Sequence, residues 1–141
     1  MVTAGSLVVA GSADVTITDT GSVAATVLSA IGAKTGGVVT CSGALTITGT
    51  TAEITDALVT TNSLVVAGTA KLTFTDDPTG AQLAAINPKT SGTITLADTA
   101  QNFSGTATEL AAAFDGFGTD ALTGTITVSY THLTLPTTYG G

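Results

Sequence analysis

No other property limits the possible folds of this chain as much as its internal repetition. Residues 6–19 read SLVVAGSADVTITD and residues 63–76 read SLVVAGTAKLTFTD; the two stretches align without a gap, and ten of the fourteen positions are identical. The likeness continues with small insertions and deletions. Ala30-Ile31-Gly32-Ala33-Lys34-Thr35 followed by Gly36-Gly37 corresponds to Ala85-Ile86-Asn87-Pro88-Lys89-Thr90 followed by Ser91-Gly92. Further on, Thr51-Ala52-Glu53-Ile54 corresponds to Ala107-Thr108-Glu109-Leu110. Each long repeat divides into two units of roughly 28 residues, within the range of one coil of a repeat architecture. A unit this short cannot bury an apolar face alone, so the repeat predicts units that stack.

The local patterns say what each unit contains. Val15-Thr16-Ile17-Thr18, Leu45-Thr46-Ile47-Thr48, Leu72-Thr73-Phe74-Thr75 and Thr125-Ile126-Thr127-Val128 alternate apolar residues with threonine. Period two is the mark of a half-buried strand. Shorter apolar pieces, Leu7–Val9, Val38–Val39 and Leu64–Val66, precede several of them, with turn-like Gly11–Ala13, Ser42–Gly43 and Gly68–Ala70 between. Helical spacing follows: Val23, Val27, Leu28 and Ile31; Ile54, Ala57 and Leu58; Leu83 with Ile86; Leu110 with Phe114. Thr50 with Glu53, Thr79 with Gln82 and Thr106 with Glu109 have capping-box spacing, in which each side chain satisfies the other residue's backbone N–H. Gly36-Gly37, Asn87-Pro88 and Gly116 are the expected helix ends.

Together these patterns predict an α/β repeat, an elongated solenoid of strand–strand–short helix units with a parallel sheet and right-handed crossovers. The units fall at about 6–36, 37–62, 63–91 and 92–118, with a partial unit at 119–127, so the repeat region is 1–127. Asp98–Gly105 stands in place of the second strand of the fourth unit. The alternative is an all-β tandem sandwich, since short strands separated by small turns can also be hairpins.

Composition narrows the function. The chain has 43% hydrophobic residues, but no apolar run approaches the ~18 residues of a membrane helix. Charged residues are 9%, the only basic side chains besides His132 are Lys34, Lys71 and Lys89, and the net charge is −7. A nucleic-acid surface needs a basic stripe, and an anionic membrane attracts cations, so neither partner is expected. Cys41 is the single cysteine, which excludes an internal disulfide and reads as a small semi-buried residue. The N-terminus lacks the basic start and apolar core of a signal peptide.

No catalytic constellation is apparent. Nucleophilic chemistry needs a base beside Ser, Thr or Cys, and the only histidine, His132, lies in an anomalous tail. One Cys and one His make no zinc site, and no phosphate-binding glycine loop occurs. The expectation is therefore no enzyme and no cofactor. Asp19, Asp76, Asp77 and Asp98 recur just after strands, and stacking can align such carboxylates as Ca²⁺ ligands. The competing role for each is to end a strand by hydrogen-bonding the backbone of a turn.

Two resemblances complete the reading. AQLAAINPKTSGTITLADTAQNF, with the Thr-Asp strand ends before it, is similar to a repeat of very large secreted bacterial surface proteins and adhesins; residues 79–103 match best and 23–40 more loosely. That resemblance implies an extracellular or cell-surface location and a spacer or adhesive role, with neighbouring repeats of the same chain as partners. Separately, VSYTHLTLPTT at 128–138 resembles the translation of a sequencing adapter of the kind found at the ends of metagenomic gene fragments. It implies that 128–141 is a non-native tail and that His132 has no role. The expected function is structural, a spacer. The alternative is a ligand-binding module presenting rows of exposed threonine to carbohydrate, ice or protein, with Ca²⁺ as an optional stabiliser.

Overall fold

The structure, a computed structural model, describes residues 11–41, 44–60, 65–115 and 122–129. In chain order the elements are β1 (Val15–Ile17), β2 (Ser22–Ala24), α1 (Ala25–Gly32), β3 (Val39–Cys41), β4 (Thr46–Gly49) and α2 (Thr51–Leu58). They continue with β5 (Val65–Val66), β6 (Lys71–Phe74), α3 (Gly80–Ile86) running into a 3₁₀ turn (Asn87–Lys89), β7 (Ile94–Thr95), β8 (Phe103–Gly105), α4 (Ala107–Phe114) and β9 (Ile126–Val128). The chain is mixed α/β with parallel sheets. All strand pairs among the described residues are parallel, which rules out the hairpins of an all-β sandwich.

Among the described residues the strands form three sheets, in the orders β1-β3-β5, β2-β4-β6-β7 and β8-β9. Partners are separated along the chain by about half of the long repeat, as in Val15 opposite Val39, Val39 opposite Val65, Ile47 opposite Leu72 and Leu72 opposite Ile94. A parallel pair requires a crossover, and short helices supply most of them here. Consecutive helices pack on one another, α1 on α2, α2 on α3 and α3 on α4. The core lies between the sheets and this helix row. Val39 and Val65 enter from one sheet, Ile47, Leu72 and Phe74 from the other, and Leu28, Ile54, Leu83 and Ile86 from the helices, all buried.

The helix starts follow the sequence pattern. Thr50, Thr79 and Thr106 each accept a hydrogen bond from the N–H three residues on, while Glu53, Gln82 and Glu109 accept one from the N-cap N–H. Each box satisfies two donors that a helix start leaves free. Helix α1 starts without one, because Ala24 occupies its N-cap.

Several expectations need correction. Val27 points outward, half exposed, whereas Leu28 is buried and Ile31 partly so. An eight-residue helix presents only a narrow stripe to the core, and Leu28 with Ala25 fills it. The helix ends at Gly32 with Ala33 as its C-cap, short of Gly36-Gly37. In the fourth unit Phe103–Gly105 does form a strand, because β9 gives it a ladder partner. Gly116 lies outside the described residues.

The long repeat and the pairing pattern also differ. Val15 and Leu72 are repeat equivalents, yet β1 lies in the three-stranded sheet and β6 in the four-stranded one. Proline accounts for the shift. Strand β2 corresponds to Asp77-Pro78-Thr79, and Pro78 lacks the N–H that a ladder needs. With that segment unable to pair, β6 occupies the sheet position beside β4.

Candidate functional surface

The outward face of the four-stranded sheet gathers hydroxyl groups. Strand alternation sends Ile47, Leu72 and Ile94 into the core and their neighbours outward. The register then forms two columns. One places Ser22 beside Thr46, and Thr46 beside Lys71; the other runs Ala24, Thr48, Thr73, Thr95. Neighbouring positions in a column lie about 4.8 Å apart, and alternate residues along a strand about 6.6 Å apart. Thr48, Thr73 and Thr95 form the longest unbroken run. Lys71 and Ala24 interrupt the array, and Ser22 Oγ and Thr48 Oγ1 share a 2.8 Å hydrogen bond, which occupies part of their capacity. In the three-stranded sheet the outward row is Thr16, Thr40 and Val66, broken at its third place by an exposed valine. Such a surface can offer neutral donors and acceptors to a ligand.

A second set of threonines works between successive segments. Thr35 Oγ1 accepts from the Gly37 N–H at 3.0 Å and donates to the Ala13 carbonyl. Its repeat equivalent Thr90 accepts from Gly92 N–H at 2.9 Å and donates to the Ala70 carbonyl. The glycines complete the clamp: a methyl group on Gly37 or Gly92 would collide with the carbonyl of Ala13 or Ala70, and Gly124, with Leu122 in place of the threonine, makes the same close approach to the Gln101 carbonyl. Only a residue without Cβ lets the two backbones approach so closely. Asp14 and Asn102 add a related contact, each Oδ1 accepting at 2.8 Å from the N–H of Val38 and Thr125 respectively. Sequence reasoning assigned the Gly-Gly pair to helix termination and missed this clamp. The signal was present in the recurrence of Lys-Thr-x-Gly at 34–37 and 89–92.

The carboxylates proposed for calcium do separate work. Asp76 Oδ1 accepts from both the N–H and the hydroxyl of Thr51, each at 2.6 Å. It thereby places negative charge at the N-terminus of α2, where the helix dipole favours it. Asp98 Oδ1 accepts from the Ala100 N–H at 2.8 Å, an Asx turn. Asp19 and Asp77 are exposed. Among the described residues no three His, Cys, Asp or Glu side chains come together in an arrangement that could hold a metal.

Cys41 is buried in β3, and burial pushes its thiol above the ordinary range, which keeps it protonated and unreactive at neutral pH. His132 lies outside the described residues. No described helix is long and apolar enough to cross a membrane.

Concavities are also present among the described residues. One, of about 350 Å³, lies among Asn87, Thr90, Ser91, Ala112 and Asp115. Asn87, expected only to end α3, also donates from Nδ2 to the carbonyls of Ala112 and Asp115 at 2.9 and 2.6 Å and so closes the end of α4. Another, of about 470 Å³, is apolar and is formed by Val15, Val27, Ala30 and Ile31, with Lys34 among its lining residues. The chain matches no protein-family profile, no curated protein and no solved structure.

Proposed function

We propose that this chain is a stacked α/β solenoid serving as a structural spacer segment of a large extracellular surface protein, without catalysis. The observation that carries the reading is the ladder: parallel partners recur once per short unit, with successive helices packed in a row. A stack of this kind gains length by adding units, each touching only its neighbours. The Thr-Gly clamps and the Asp76 contact join adjacent turns through hydrogen bonds that need no basic side chain, which suits a chain that has so few of them. The surface location rests on the resemblance of residues 79–103 to repeats of secreted bacterial proteins.

Lengthening the chain tests this. A variant with residues 63–118 duplicated in tandem should grow in small-angle scattering by about two strand spacings, ~10 Å, at constant cross-section. Growth in cross-section instead would sink the stacked reading. The Thr48–Thr73–Thr95 run supports ligand binding as a second reading, with immobilised polysaccharide as the probe. Retention that disappears in Thr73→Lys would favour it over a passive spacer.

Residues 128–141 are proposed to derive from an adapter. Codons for VSYTHLTLPTT that depart from the adapter's own nucleotides would overturn that assignment.

A further inference from the structure

The sequence holds three lysines, Lys34, Lys71 and Lys89, and no arginine, and all three lysines lie among the described residues. Proteases with an acidic specificity pocket cut after such residues. Each lysine is exposed, so its charged head is accessible. The peptide bond that follows it is not. A protease takes its substrate as an extended strand with several residues on either side of the cut bond, so a folded segment is cut only once it opens. Here each segment is tied to its neighbours. After Lys34, the Thr35 hydroxyl donates to the Ala13 carbonyl and accepts from the Gly37 N–H, and the Gly36 N–H donates to the Gly11 carbonyl at 2.6 Å. After Lys89, the Thr90 hydroxyl donates to the Ala70 carbonyl and accepts from the Gly92 N–H, and the Ser91 N–H donates to the Gly68 carbonyl at 2.9 Å. Lys71 lies in β6, which is paired on both sides. Its own N–H donates to the Leu45 carbonyl and the Leu72 N–H to the Thr93 carbonyl, each at 2.9 Å.

We propose that the clamps shield the chain from proteases that cut after lysine or arginine. Thr35 and Thr90 hold the bonds after Lys34 and Lys89 against the preceding segments, and the two-sided ladder does the same after Lys71. The clamp threonine thus has a second role besides joining layers, since in both repeats it is the residue immediately after the lysine. A chain whose few such sites are all held stays whole where proteases of this class are present. The shielding holds whether or not the chain is a spacer, because every contact that produces it lies within the chain. A held bond is cut in proportion to the time its segment spends open. Losing the Thr90 hydroxyl removes one hydrogen bond and strands the Gly92 N–H, enough to raise that open fraction about tenfold.

Digestion of the full chain with trypsin under native conditions, with the fragments assigned by mass spectrometry, tests this. The wild type should be cut after Lys89 at least about a thousandfold more slowly than an unfolded peptide spanning residues 85–95. Cutting at the peptide's rate would overturn the proposal, and that result does not depend on whether any variant folds. Thr90→Ala should speed cleavage after Lys89 about tenfold and leave Lys34 unchanged, while Thr35→Ala should do the reverse. Thr90→Ser keeps the hydroxyl and should keep the wild-type rate. Equal acceleration at Lys34 and Lys89 in either alanine variant would make the threonine a contributor to overall stability alone and sink the idea. So would no acceleration at either site, or a serine variant cut as fast as the alanine one. Circular dichroism melts of the variants separate local opening, which leaves the melt near that of the wild type, from global loss of structure.

Discussion

Residues 13–17 and 70–74 have closely similar sequences, Ala-Asp-Val-Thr-Ile and Ala-Lys-Leu-Thr-Phe, but occupy different positions in the structure. Both pair with the segment that follows them, Val15 opposite Val39 and Leu72 opposite Ile94, and both sit under the same Thr-Gly clamp. Strand β6, however, also pairs with β4 behind it, while β1 has one partner among the described residues. Leu72 is accordingly fully buried and Val15 only partly. Similar sequence therefore specifies the same forward contact, and a preceding layer adds cover at Leu72 that Val15 lacks, whereas Ile17 and Phe74 are buried in both settings.

The clamp is the strongest place to break this comparison. Gly37→Val and Gly92→Val should each destabilise by about 3 kcal/mol or more, since backbone would have to move to admit a side chain. Chemical denaturation that finds only one of them costly would show that the two clamps are not equivalent. Next in size, Leu72→Ala should lose about 2–5 kcal/mol, and Val15→Ala less than about 1 kcal/mol. Similar losses at both sites would mean that Val15 is covered in solution.

The helix starts provide a smaller contrast. Thr79→Ala removes a capping box and should cost about 1 kcal/mol, whereas Ala24→Ser, at the uncapped start of α1, should gain about 0.5 kcal/mol or more. Thermal melts of the two single variants check both signs. The smallest effect concerns pH. Hydrogen bonds from the Thr106 N–H and hydroxyl hold the Glu109 carboxyl below its usual range. A carboxyl lowered in the folded state stabilises fully above its unfolded value, and that contribution disappears as pH falls through the folded value. The melting temperature should therefore decline on acidification from about pH 5 towards pH 2, and less steeply in Glu109→Gln. An unchanged slope in that variant would remove Glu109 from the acid response.

How much was legible varies with the range of the interaction. The three capping boxes were readable from short sequence windows because each residue's partner lies three positions away. Thr35 and Thr90 were not, because a local motif shows only the Gly37 and Gly92 N–H groups that they accept from. The carbonyls that they donate to lie 22 and 20 residues earlier and come within reach only after the chain has turned once. Asp76 is a similar case. Its position after a strand suggested a turn or a metal, and its actual partner is Thr51, 25 residues away on the adjoining helix start. The outward threonines were legible one strand at a time, but not that Lys71 and Ala24 would interrupt their columns, because register depends on loop lengths.

Reading along the chain was enough to establish that it repeats, that its strands alternate threonine with apolar residues, and where three of its helices begin. Those properties follow from side-chain periodicity and from hydrogen bonds spanning three residues. Two outcomes required the packed molecule. Repeat-equivalent β1 and β6 belong to different sheets, and equivalent valines and isoleucines are buried in one layer and exposed in another. Both depend on what packs before and after each segment, and Pro78, by withholding one N–H, shifts that arrangement for the strands around it.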